Sequence, residues 1–180
     1  MKFPANKKAI TLIGMSGAGK SFIGRNLAEQ LNFQFIDPDK VLEEKAGQIV
    51  QDIIDEQGEK KFLEIENKTI IGLGNIQNKI ISPGGSVIYS LPAMEYLSAN
   101  SIIIYLSDSC DKIFNRIKNL ESRGIVGLKN KKFGQLCKER GKLYKKFANI
   151  TIDMSKMQTD DKDLKTKEVI EKIITGINKL

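Results

Sequence analysis

Residues 13–24 read IGMSGAGKSFIG, with three glycines between Gly14 and Gly19, followed at once by Lys20 and Ser21. The run before it, residues 9–13 (AITLI), is apolar and β-rich, and residues 22–31 carry the spacing of an amphipathic helix. Strand, glycine loop and helix in that order fit G-x-x-x-x-G-K-[ST], the phosphate-binding loop. Glycines let backbone N–H groups converge on one anion. The helix adds its own unpaired N–H groups and the positive end of its dipole. The spacing therefore predicts a nucleotide-phosphate cradle from Gly14, Gly17, Ala18 and Gly19. Lys20 serves the β- and γ-phosphates, and the Ser21 hydroxyl is placed for Mg²⁺.

Working outward, the 180-residue chain suits one domain over residues 1–180. Hydrophobic residues make up 41% and charged residues 28%, an ordinary balance for a globular protein. No apolar run approaches the ~18 residues of a membrane span. The apolar run after Lys2, Lys7 and Lys8 is too short for a secretory signal and is needed as a strand. Cys110 and Cys137 suggest neither a disulfide framework nor a metal pair, so a reduced, cytoplasmic protein is expected. With no histidine, a general base must be a carboxylate, a lysine or a water, and histidine-built zinc sites are excluded. The net charge of +7 is partly concentrated in residues 129–146, but without interleaved aromatics it does not point to nucleic acid.

The 29 basic side chains include only four arginines, Arg25, Arg116, Arg123 and Arg140. Arginine offers a planar bidentate fork that lysine lacks, so each is a candidate for a specific task. β-rich segments at residues 9–13, 33–36, 79–82, 101–106 and 149–152 alternate with helical patterns at 21–31, 39–46, 49–57, 59–71, 93–97, 110–120, 133–147 and 164–180. The alternation predicts a three-layer α/β fold with a five-stranded, mainly parallel sheet. Residues 121–132 (ESRGIVGLKNKK) lie between two helices, irregular and glycine-bearing, and read as a mobile lid.

In such a sheet, ligands bind at the carboxyl ends of the strands. The second strand ends in Asp37-Pro38-Asp39 and the third in Ser82-Pro83-Gly84-Gly85-Ser86. One carboxylate can hold Mg²⁺ while the other orients or deprotonates an attacking hydroxyl. Gly84 and Gly85 allow close backbone approach to a small substrate.

These segments resemble the shikimate kinases, a family of nucleoside-monophosphate-kinase-like P-loop enzymes, over nearly the full chain. The resemblance rests on GMSGAGKSFIGRNLA, FIDPDKVLEEKAG, GEKKFLEIE, SPGGSV, NRIKNLESRG and KERGKLYKKFANITI. It implies Mg²⁺-dependent transfer of the ATP γ-phosphoryl to a small hydroxylated acid, shikimate first, by a monomer in the cytoplasm. By resemblance, Asp37 supports the metal, Asp39 meets the reacting hydroxyl, Arg116 stacks on adenine, Arg123 swings in from the lid, and Arg140 holds the acceptor carboxylate. Three positions depart from the pattern. Leu63 stands where the family has a substrate-binding arginine, Pro83 replaces the first glycine of its G-G-G turn, and the lid reads R-G-I-V-G-L in place of R-P-L-L. The departures gather on the acceptor side, so the acceptor could also be a different small hydroxylated acid; the further alternative is a non-catalytic nucleotide-binding module.

Overall fold

The computed structural model describes residues 8–117, 124–157 and 161–180. Five strands, β1 (Ile10–Ile13), β2 (Gln34–Ile36), β3 (Lys79–Ile81), β4 (Ile102–Ser107) and β5 (Ile150–Asp153), form one sheet in the order β2-β3-β1-β4-β5. Every pairing is parallel, so the sheet is all-parallel rather than mainly so. Among the described residues seven α-helices surround it: α1 (Lys20–Leu31), α2 (Pro38–Ala46), α3 (Val50–Ile71), α4 (Leu91–Asn100), α5 (Cys110–Arg116), α6 (Phe133–Phe147) and α7 (Lys162–Ile177).

The period-two geometry of β4 shows why a continuously apolar strand is required. Ile102, Ile104 and Leu106 face one layer with Ile23 and Leu27 of α1 and Val169, Ile170 and Ile173 of α7. Ile103 and Tyr105 face the other, with Met94, Leu97, Leu136 and Tyr144. Each fully buried aliphatic side chain contributes roughly 1.5–3 kcal/mol relative to exposure, so both faces need a helical cover. A third, smaller cluster joins Leu42, Ile53, Ile54 and Phe62 to Val126 of the lid segment, with Leu63 packed on its edge.

Helix α3 is broken at Gly58, whose backbone is non-helical, in agreement with the two separate helical patterns of the sequence. Helix α4 is longer than its pattern suggested, because Pro92 sits in its first turn behind the Ser90 cap. Helix α5 is shorter than the predicted 110–120. Ile117 leaves it in extended backbone and packs against the phosphate loop, where a Cβ on Gly17 would lie 2.8 Å from the Ile117 side chain.

The expectation of two free thiols is corrected. Cys110 and Cys137 form a disulfide with Cα atoms 6.1 Å apart. Their separation of 27 residues hides the fact that the start of α5 lies against α6. Closing a loop of that length contributes on the order of 3 kcal/mol.

Candidate active site

The phosphate loop runs from β1 into α1. Gly19 has φ 87° and α1 begins at Lys20 with no side chain capping it, so its first N–H groups are left for a ligand. Gly14 is required by packing: a Cβ there would stand 2.7 Å from the Leu106 carbonyl oxygen. Lys20 is buried and donates to the carbonyls of Gly14 at 3.0 Å and Met15 at 3.2 Å. Burial lowers its pKa to about 8, against the raising influence of Asp39 and Asp37.

The sheet order sets β3 between β1 and β2, so the loop, the Asp37–Asp39 segment and the Ser82–Ser86 segment converge as expected. They line a cleft of about 390 Å³ that includes Gly17, Lys20, Ser21, Asp39, Gly84 and Arg116. Ser21 Oγ donates to Asp37 Oδ2 at 3.1 Å. Asp37 also caps α2, its Oδ1 accepting from the Asp39 N–H at 3.2 Å. A hydroxyl and a carboxylate oxygen side by side at the phosphate end suit a hard cation that shares its shell with phosphates and water. These two residues fit Mg²⁺ by donor chemistry.

Asp39 projects from the first turn of α2 with Oδ1 buried and without a hydrogen-bond partner among the described residues. Burial first, and the Asp37 charge second, raise its pKa to about 6. A second carboxyl, which the sequence reading passed over, faces the same turn. Glu66 of α3 is 1% exposed; its Oε1 accepts from Ser86 Oγ at 2.9 Å and its Oε2 is buried and unpartnered among the described residues. Gly84 separates the two, since a Cβ on it would lie 2.9 Å from Glu66 Oε1 and 3.0 Å from Asp39 Oδ1. Desolvation, with the Asp39 charge next, pushes Glu66 up to about 8. Its one signal in the sequence is its place four residues after Phe62 in GEKKFLEIE.

The arginines part company. Arg116 lines the nucleotide cleft and pairs with the fully buried Asp108 carboxylate at 2.7 Å. Arg140 is 1% exposed and lies beside Gly85, where a Cβ would come within 3.0 Å of its Nη1. Arg25 stacks on Phe35, 5.1 Å from the ring centroid, in a packing role on α1. Arg123 lies outside the described residues, as do residues 121 and 122 of the lid.

The described part of residues 121–132 is tied down over Arg140 and helix α3. Gly124 N–H donates to Gln51 Oε1 at 2.7 Å, Gly127 N–H to Glu59 Oε1 at 2.6 Å, and the Val126 carbonyl accepts from Arg140 Nη2 at 2.6 Å. The space left between Asp39, Gly84, Gly85, Val126 and Arg140 is about 20 Å³, room for a water and no more. Leu63 packs in the third cluster and is absent from the lining of that space.

Known proteins are similar to this chain in sequence and fold. The sequence signature of the family described as shikimate kinase matches residues 16–178. A shikimate kinase from Sulfurihydrogenibium sp. is 34% identical over 172 residues, 96% of this chain and 99% of the relative. One from Actinobacillus pleuropneumoniae is 39% identical over 163 residues, 89% and 91% of the two chains. The solved structure of the Acinetobacter baumannii shikimate kinase in complex with shikimate superposes with a TM-score of 0.80 at 28% identity, covering 97% of this chain and 96% of that one. With its phosphate loop, acidic strand end and buried arginine in the positions that fold provides, and with relatives aligned from end to end, the chain belongs to the shikimate kinase family.

Proposed function

We propose that this protein transfers the γ-phosphoryl group of ATP to a hydroxyl of shikimate. The observation that carries the reading is the meeting, across Gly84 and Gly85, of an uncapped phosphate loop with a buried carboxylate and a buried guanidinium. Gly14, Gly17, Ala18 and Gly19 would wrap the phosphates, with Lys20 neutralising the β- and γ-oxygens. Arg116, steadied by Asp108, would lie on the adenine. Ser21 and Asp37 would hold Mg²⁺, which supplies charge neutralisation on the phosphate oxygens when bound. Arg140 would grip the acceptor's carboxylate and Gly84 its ring. Asp39 would accept the hydroxyl proton as the oxygen attacks the γ-phosphorus and ADP departs. Its elevated pKa suits a base working near neutrality. Residues 121–132 act in this reading as the lid, with Arg123 reaching the transferring group and water excluded on closure.

A monomer in the cytoplasm belongs to the same reading by family resemblance, although the Cys110–Cys137 bond removes the reduced-thiol ground for that compartment. Among the described residues no helix is long and apolar enough to cross a membrane. The tight seat of Val126 over Arg140 favours one variant of the reading, in which the acceptor is another small hydroxylated acid.

The test is acceptor-dependent ADP release by purified protein with Mg·ATP, comparing shikimate with a panel of hydroxylated carboxylic acids. Shikimate at the head of the panel is the expected result. Another acid at the head transfers the reading to that acid, and ADP release independent of any acceptor overturns it.

A further inference from the structure

Arg140 is buried, and among the described residues no carboxylate pairs with it. A buried guanidinium without a counter-ion is costly, so the fold must fix it in place for an anion that arrives from outside. A guanidinium can offer a carboxylate either of two forks, the Nη1–Nη2 end or the Nε–Nη side. Which one is free depends on what holds the rest of the group.

Tyr89 holds it. The tyrosine lies in the short 3₁₀ turn Val87–Tyr89, immediately after the Gly84–Ser86 segment. Its ring faces the guanidinium, whose carbon is 5.1 Å from the centroid. Its hydroxyl oxygen accepts from Arg140 Nε at 3.4 Å. The same hydroxyl donates to Glu139 Oε1 at 2.9 Å, which fixes its polarity and turns a lone pair toward Nε. Glu139 is held in turn by Lys131, at the end of the lid segment. One face and the Nε edge of Arg140 are thus committed. Nη1 lies beside Gly85 and the Tyr144 hydroxyl, which also hydrogen-bonds the guanidinium, and Nη2 carries the Val126 carbonyl, so the Nη1–Nη2 end meets only neutral oxygens where a carboxylate would bind.

We propose that Tyr89 is the positioning residue of the acceptor site: it presents the Nη1–Nη2 fork of Arg140 to the acceptor's carboxylate and withholds the Nε fork. The inference deepens the proposed function and rests on it, because it requires an acidic acceptor.

The experiment compares the wild type with Tyr89→Phe and Tyr89→Leu in the full chain, on shikimate and on its primary amide. Tyr89→Phe keeps the ring and loses the hydroxyl; Tyr89→Leu loses both. The acceptor KM should rise about fivefold in the first and about tenfold or more in the second. The ATP KM and the kcat at saturating acceptor should stay within about twofold. The preference for acid over amide should shrink in the same order, and Tyr89→Phe should melt with the wild type. Unchanged acceptor KM and acid preference in both variants overturn the proposal. So does a parallel rise in the ATP KM, which is what a loosened fold would give. If the wild type uses a different hydroxylated acid, the shikimate reading fails alone and Tyr89 is tested on that acid and its amide. If it uses none, both fall.

Discussion

The two halves of the site are built by opposite means. The nucleotide half is built around one contiguous stretch, Gly14 to Ser21, whose working groups are mostly backbone N–H groups and one helix end, with Asp37 and Arg116 added from elsewhere. The acceptor half takes single side chains from α2, α3, the turn after β3 and α6, and the lid segment lies over it. The difference follows from the ligands. A triphosphate is the same object in every kinase, so a backbone cradle needs no tuning. An acceptor has its own shape and charge, and a family can change it one side chain at a time. The departures do not follow that division as the sequence suggested: Pro83 lines the cleft at the phosphate loop and Leu63 packs in the third cluster, and neither lines the acceptor space.

That division can be broken most forcefully at Lys20. Lys20→Met should lower kcat by about 10³-fold, the scale of losing a preorganised charge on the transferring group. The fold should survive, since the lysine contacts loop carbonyls and not the apolar core. Near-normal turnover in a steady-state assay would remove the loop from the chemistry.

Asp39→Asn tests the border between the halves. A lost proton acceptor typically costs 10²–10⁴-fold, so kcat should fall about 10²-fold or more while ATP affinity, read by calorimetry, holds. In the wild type kcat should also decline as the pH drops below about 6, where Asp39 takes up its proton. If ATP binding collapses in the variant and kcat holds, Asp39 serves the metal or the helix and not the hydroxyl.

Leu63→Arg probes the acceptor half alone. A second guanidinium fork on the carboxylate is worth at least about tenfold in affinity. With shikimate as acceptor, its KM should drop by about that factor and the ATP KM should not move. With an acceptor that lays an apolar group against this wall, the same variant should lose activity on it. A KM unmoved in either direction would mean that Leu63 only packs the third cluster.

The same contrast explains what could be read from the amino acids. The phosphate loop, the five strands and the convergence of Asp37, Asp39 and Gly84 were legible because each rests on a local signal: a motif, a strand end, a turn. Asp37 was harder, because it caps α2 and touches Ser21 at once, and either use alone would explain an aspartate there. Glu66 and Tyr89 were missed because their meaning is wholly non-local. A glutamate on a helix reads as surface until α3 is docked against Ser86, and one tyrosine in VIYS says nothing until α6 brings Arg140 over its ring. The Cys110–Cys137 bond was missed for the same reason, with the rest of α5, residues 117–132 and the first turn of α6 between its ends.

Glu66 gives the smallest effect on turnover and the sharpest on stability. Its carboxyl is held near pKa 8 in the fold by desolvation, with the Asp39 charge adding to it and Ser86, Arg140 and Lys20 opposing, against 4.5 as the ordinary value. Between those values the unfolded chain has released a proton that the folded one retains. The contribution is therefore complete below about pH 4.5 and is lost as the pH rises through about 8, at up to ~1.4 kcal/mol per pH unit for one proton. Glu66→Gln keeps an oxygen for the Ser86 hydroxyl and carries no titrating proton. Its kcat at pH 7 should lie within about threefold of the wild type, since the group is neutral there in both proteins. Urea midpoints measured at pH 6 and pH 9 should differ less in the variant than in the wild type, and the variant should be the more stable of the two at pH 9. An equal drop in both proteins would mean that Glu66 is already ionised at pH 6, and that Gly84 lies between two charges rather than between one charge and one neutral acid.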